Sequence, residues 1–369
     1  MKRFYIIFFI AFLFVQLKTH AQGCVAIRSN GSTCALGKPG EAKGWQFSFN
    51  TRYFKSYKHF VGKEEQKERV ENGTEVINHS FSWDFTFTKA LTNRWSVAVN
   101  VPLLSNVRSS MYEHYGNNNA SKAGARRNTE SFGIGDVRIA AYRWLLNPEK
   151  SHRGNIQVGL GIKLPTGNYE YQDYFHKLAA NGGDSTVLGP VDQSIQLGDG
   201  GTGFSLELNG FYSFTPGLSV YGNFYYLANP REQNGVSTGR GSAVNATAVK
   251  YFTSTMSVPD QYMLRGGVNV NLVENLSLSA GVRTEAIPSS DLFGGDRGFR
   301  RPGIVTSAEP TLTYTTKKGI FYLSVPVAVS RNRTQSYSDK LRTADTGTKV
   351  QGDAAFADYL VNVGFSVRL

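Results

Sequence analysis

The sequence predicts an all-β chain, a transmembrane up-and-down antiparallel β-barrel of about twelve strands. Three observations lead there. Apolar and polar residues alternate with period two over most of the chain from Trp45 onward. The alternating segments are joined by connectors that are short and long in turn. Only 40% of the 369 residues are hydrophobic and 18% are charged, while aromatics reach 13% and mean hydropathy is −0.30. Apolar side chains are therefore spread along the chain, not gathered in blocks. Past residue 21 no stretch is long and apolar enough for a transmembrane helix. Two cysteines are too few for a disulfide scaffold.

The first element is a targeting segment. Met1, Lys2 and Arg3 are followed by an unbroken apolar run from Phe4 to Val15, then by Thr19, His20 and Ala21. This is the pattern of a cleavable secretory signal peptide over 1–21. Cleavage after Ala21 removes three of the 40 bases and none of the 28 acids, leaving a charge of 37 − 28, or +9. A lipoprotein cut before Cys24 is the alternative, although no bulky aliphatic residue stands three positions earlier. Residues 22–43 show no strand pattern and read as an N-terminal periplasmic or plug segment. Within it, Cys24 and Cys34 are expected to pair in an oxidising compartment.

The barrel is expected over 44–369. Its first strand sets Trp45, Phe47, Phe49, Thr51 and Tyr53 on one face and Gln46, Ser48, Asn50 and Arg52 on the other. Successive strand side chains point to opposite faces, so one face is apolar and one polar. The same pattern runs through 77–88, 95–103, 156–164, 204–214, 218–226, 262–272, 276–285, 321–329 and 359–369. Two segments are less regular. In 137–146, Arg138 and Arg143 fall on opposite faces; 304–316 is Thr-rich and interrupted by Pro310. A bulge would reset the phase of either.

Short turns lie at 89–94, 147–154, 215–217, 273–275 and 316–319, and long loops at 60–75, 105–131, 166–202, 229–260, 286–303 and 331–356. Outer-membrane barrels have short periplasmic turns, long extracellular loops and an even strand number. In lipid every backbone polar group must be paired within the sheet, so the last strand must close on the first. Trp45, Trp83, Trp95, Tyr53, Tyr226, Tyr262 and Tyr359 stand near strand ends, where amphipathic rings suit a membrane interface, although aromatics are also common in strands generally.

The polar rows then line the lumen. Arg52, Lys163, Arg265, Arg283, Glu207 and Glu285 are expected toward the outer half, with Asp84 lower. Such a ring favours anions or polar solutes if a water path exists. The alternative is that the acids and bases satisfy one another in a filled barrel.

Two motifs carry a family resemblance. Gly133-Ile134-Gly135-Asp136 opens one strand in this reading, and Gly159-Leu160-Gly161-Ile162-Lys163-Leu164-Pro165-Thr166-Gly167 ends another. The pair resembles the outer-membrane barrels named for the MetA pathway of phenol degradation, a family taken to be transporters. The resemblance covers 133–168 in motif and implies a transport-type barrel. It carries no substrate. From the residues themselves, Pro165-Thr166-Gly167 reads as a turn and Gly133 and Gly135 as a tight strand entry.

An enzyme is the rival class. No His has a Ser two positions away, and no G-x-S-x-G, P-loop or H-E-x-x-H occurs. No catalytic residue, cofactor or metal site is assigned. Asp173, Asp184, Asp192 and Asp199 are scattered over 166–202 and read as solvated loop charge. The expected partners are outer-membrane lipid and lipopolysaccharide, an unidentified small solute and the barrel-insertion machinery, and not nucleic acid. The expected location is the outer membrane of a Gram-negative bacterium, with passive transport as the function. A structural or adhesive surface barrel and a secreted soluble all-β binding protein are the alternatives.

Overall fold

The computed structural model describes residues 44–115 and 126–369. The signal peptide, the 22–43 segment and the Cys24–Cys34 pair lie outside the described residues.

Twelve antiparallel strands form one closed barrel. They are β1 (Gly44–Val61), β2 (Ile77–Ala90), β3 (Trp95–Ser110), β4 (Arg127–Ile134 and Arg138–Trp144), β5 (Gly154–Lys163) and β6 (Gly203–Thr215), followed by β7 (Leu218–Ala228), β8 (Gln261–Val273), β9 (Leu276–Ile287), β10 (Gly303–Thr315), β11 (Gly319–Ser324 and Val327–Arg333) and β12 (Ala354–Arg368). Each pairs with its sequence neighbours. β12 returns to β1 from Gln46↔Arg368 to Phe60↔Ala354. Closure leaves no edge unpaired, as hydrocarbon demands.

The wall has its apolar face outward. Trp45, Phe87, Leu160, Phe204, Leu264, Val282 and Val329 are exposed, while Ser48, Asn100, Asn209, Asn223, Ser279 and Thr313 on the alternate positions are buried. A soluble sandwich would bury the apolar rows between sheets; here they form the outer surface. At the short-turn end, Lys89 lies over the Trp45 ring at 5.0 Å and Arg143 over Trp95 at 5.4 Å. Toward the long-loop end, Tyr226 and Tyr262 stack with centroids 6.4 Å apart. Trp45 and Tyr53 are eight residues apart on the outward row of β1. At the rise and tilt usual for barrel strands this spans about 20 Å, near the height of an apolar belt.

Two irregular segments are resolved. Leu103 pairs with Ile134 and Asn100 with Arg138, so three steps on β3 face four on β4. The extra residue is a bulge, and it flips the phase. Phe132 and Ile134 point outward above it, Ile139 and Arg143 outward below it. The Gly133–Asp136 motif therefore does not open a strand. It joins the two pieces of one, and the connector expected over 105–131 shrinks as β3 runs to Ser110 and β4 starts at Arg127. In β10, Pro310 keeps its place opposite Ala280, where β11 is itself interrupted between Ser324 and Val327. Ser307, Glu309, Thr311 and Thr313 then form one buried polar row.

The long loops form a cap. It contains a hairpin (Gln172–Leu178 with Asp184–Pro190), a second short pairing (Gln233–Ser237 with Thr255–Ser257) and three helices: α1 (Lys67–Glu71), α2 (Ala246–Lys250) and α3 (Tyr337–Thr346). A capping box of Ser336 and Asp339 starts α3, and Gly347 ends it at φ 70°. Apolar side chains of the long connectors are buried, among them Phe175, Val191, Ile195, Leu197, Val236, Met256 and Val258.

Candidate functional site

The connector between β5 and β6 (164–202) folds inward. The first cause is local. Asp136, on the β4 bulge, accepts from Gly167 N at 3.0 Å and from Asp199 N at 3.2 Å. Thr166 Oγ1 donates to Gly135 O at 3.0 Å and accepts from Val137 N at 2.8 Å, clamping the bulge from the next strand. Both sequence motifs thus meet at one knot. Glycine is required at Gly167 by close approach, because a Cβ there would lie 2.5 Å from Leu197 O. Gly198 is equally confined, with Asp136 Oδ1 2.5 Å from its would-be Cβ. Lys163 completes the knot, paired with Asp199 and lying 3.7 Å from Asp136.

From the knot the loop reaches a one-turn 3₁₀ helix at Gln193–Ile195, where Ser131 of β4 donates to Ile195 O. Asp192 just precedes that turn and is 4% exposed. It takes Arg301 as a two-pronged partner at 2.8 and 2.6 Å, with Arg108 at 3.5 Å and Arg240 at 3.7 Å. Arg108 and Arg240 also hold Glu113, at 2.6 and 2.9 Å. These residues come from the top of β3 and the connectors after β3, β5, β7 and β9. One buried network therefore ties four loops to the wall. Burial alone would push the Asp192 carboxyl up, but Arg108 and then Arg301 outweigh it and hold it well below the usual carboxylate range. Glu113 is likewise lowered, by Arg108 and Arg240 against burial. The expectation of solvated loop charge is corrected for Asp192 and Asp199, which anchor the loop, whereas Asp184 is exposed and pairs with His176 at 2.8 Å. Cross-strand alternation says nothing about loops, so no sequence signal marked them. No cluster able to hold a metal occurs among the described residues.

The seven charged positions read from the sequence are all buried on the inner face. Six of them divide between two centres. On one side Arg138 lies 5.7 Å from the Tyr225 ring, in the field of Asp84, Asp136 and Glu207. Tyr142 donates to Glu207 at 2.9 Å, and Lys163 belongs to the same side. Across the barrel Arg265 meets Glu309 at 2.6 Å, and Arg283 meets Glu285 at 2.7 Å and Glu309 at 3.7 Å. Arg52 donates to Asn362 at 3.0 Å on the closing strand pair. Sequence reading missed Glu309, Arg138 and Arg108. Pro310 masked the phase of the first, the bulge that of the second, and the third lay in a presumed loop.

Beside the first of these centres, lined in part by the inward loop, lies a cavity of about 120 Å³. Leu104, Arg138 and Lys163 bound it on the β3–β5 wall, Gln261 and Ile287 on the β8–β9 wall, and Gln193, Leu197 and Ser257 from the loops. Strands on opposite sides of a twelve-strand barrel share its lining, so it lies within the barrel interior.

No protein-family model and no curated protein matches the chain. Among solved structures, an outer-membrane channel from Pseudomonas putida F1 superposes with a TM-score of 0.58 at 11% identity, covering 93% of this chain and 100% of that one. The translocator domain of the autotransporter NalP from Neisseria meningitidis gives 0.46 at 13% identity over 90% and 91% of the two chains. The toluene transporter TodX from P. putida gives 0.43 at 10% over 92% and 93%. Identities this low speak for the fold alone, and the last two scores carry no argument.

Proposed function

We propose that the protein is a channel of the Gram-negative outer membrane, passing small solutes passively through a polar, weakly basic lumen. The observation that carries this reading is the inward loop over an interior cavity, inside a closed wall whose outside suits lipid. On the inner face Arg52, Arg138, Lys163, Arg265 and Arg283 are interspersed with Asp84, Asp136, Glu207, Glu285 and Glu309, which supports a polar lining that carries both signs of charge. The fold shared with an outer-membrane channel is consistent with this, and the Gly133–Gly167 motifs support kinship with the barrels named for the MetA pathway of phenol degradation. Lipid and lipopolysaccharide would contact the outer belt and cap, and insertion would use the barrel-assembly machinery.

The test is flux through liposomes containing the purified full-length protein, for solutes of each charge, beside single-channel conductance. Passive flux, with small anions favoured over cations, is expected. The dense ion pairing of the cap favours a second reading, a structural or adhesive surface barrel. Absence of both flux and conductance, in the protein and in a variant with the Asp192 latch removed, would select that second reading.

A further inference from the structure

The connector after β9 (288–302) reaches the outside of the wall, unlike the inward loop after β5. Tyr226 on β7 and Tyr262 on β8 are register partners on the outward rows, and Asp260 stands two positions before Tyr262. The Tyr226 hydroxyl donates to Asp260 Oδ2 at 2.6 Å, and the Leu292 amide donates to the same oxygen at 2.8 Å. Leu292 is thereby held beside the outer end of an outward tyrosine. The hold is reinforced from behind. Asp291 accepts from Asp260 N at 3.0 Å and from two Arg300 amino groups at 2.8 and 2.6 Å, and the side chains of that ion pair are fully buried. Past the tip the chain turns at Gly294, φ 100°, where a Cβ would lie 2.6 Å from Asn229 O.

What this pinned tip presents is apolar. Leu292 is 65% and Phe293 60% exposed. Among the described residues, two other pairs of adjacent large apolar side chains are exposed, Leu145–Leu146 and Leu272–Val273. Both stand at the short-turn end, where β4 and β8 leave the belt. Leu292–Phe293 is the corresponding pair at the long-loop end. Water disfavours such a pair, and adjacent exposed apolar side chains fixed in place mark a contact surface. Beside the outer end of an outward tyrosine, the neighbouring medium is the membrane interface. A segment with satisfied backbone and free apolar side chains suits that medium.

We infer that the Leu292–Phe293 tip is a membrane anchor, inserted into the outer leaflet beside β7 and β8. This rests on the outer-membrane reading of the wall and names one lipid contact outside the strands. The test uses a nitroxide on Phe293→Cys in the full chain carrying Cys24→Ser and Cys34→Ser, reconstituted in phosphatidylcholine bilayers. Labels on Leu264→Cys, in the belt, and Asn181→Cys, at the turn of the cap hairpin, are the references. Collision with a water-soluble nickel chelate at 293 should be at least about threefold below that at 181 and near that at 264. Collision equal to that at 181 overturns the inference. So does dipolar broadening at 293 that grows with the protein-to-lipid ratio, because a second copy would then cover the tip. The paired substitution Leu292→Ser with Phe293→Ser should raise tryptic cleavage of the 288–302 connector in the same bilayers about three- to tenfold; unchanged cleavage overturns the anchor as well. Heat-modifiable gel migration checks folding, and if the paired variant fails it the labels decide. A chelate-accessible label at 264 would remove the membrane reading itself, whereas exposure at 293 with 264 shielded removes the anchor alone.

Discussion

The barrel wall and the loop cap above it are built by opposite rules. In the wall, Leu160, Leu264 and Val329 are exposed while Arg265, Arg283 and Glu309 are buried. In the cap, Phe175, Val191, Ile195 and Val258 are fully buried, as in a soluble domain. The difference is the solvent each meets. Lipid rewards an apolar exterior and forces charges inward, whereas water favours burial of the apolar side chains of the cap. Both regions nevertheless carry buried ion clusters, and there the comparison is most easily broken.

The largest effects should come from removing one carboxylate of each cluster. Asp192→Ala removes the two-pronged partner of Arg301, and Glu309→Ala removes the carboxylate that Arg265 meets at 2.6 Å. Each should cost about 3–5 kcal/mol. The readouts should separate: Asp192→Ala exposes the loops to protease and raises conductance with the heat-modifiable mobility kept, whereas Glu309→Ala lowers the temperature at which the barrel itself unfolds. Loss of barrel stability in both would mean that cap and wall unfold together.

Apolar truncations should follow next. Ile195→Ala opens a hole at the buried turn of the inward loop and should cost about 2–4 kcal/mol in loop protection. Leu160→Ala, on the lipid-facing row, should barely change proteolysis of the loops. Equal effects would erase the contrast between the regions.

Acid should loosen the cap in steps. Burial pushes the His114 imidazole down to about 4 from its ordinary 6.5, with His176, Lys177 and Arg240 adding to this and Glu113 opposing it. The unfolded loop therefore binds a proton that the folded one does not, so cap stability falls as pH drops from 6.5 toward 4. The lowered carboxylates act lower down. Partial burial would raise Asp353, but His59 and Arg69 bring it to about 2. Its contribution is present above its ordinary 3.8 and is lost as pH falls through about 2, and the further-lowered Asp192 behaves likewise. Loop cleavage by an acid-tolerant protease should rise several-fold between pH 6.5 and 4; a flat profile would sink the assignment to His114.

The smallest effect belongs to the belt. Arg143→Ala removes the cation over Trp95 and should cost under about 1 kcal/mol, measured by reversible unfolding in lipid.

The period-two pattern of a row such as Trp45–Phe47–Phe49 is local, so strand number, turn ends and the outward face of most strands were legible in the chain. So was the need for a bulge near Arg138, though not its place. The pieces hidden from sequence were those whose phase was interrupted, Glu309 beside Pro310 and Arg138 beside the bulge, and those with no phase at all, Asp192, Arg240 and Arg301. Loop residues meet across distances that no periodicity encodes.

Alternation by itself therefore determined a barrel with a lipid-facing outside, because a strand in hydrocarbon has only two faces and one must be apolar. Only the tertiary structure decided that the β5–β6 connector turns inward. That choice rests on Asp136 capturing two loop amides and on Asp192 meeting three arginines from other strands and loops, contacts between residues far apart in the chain.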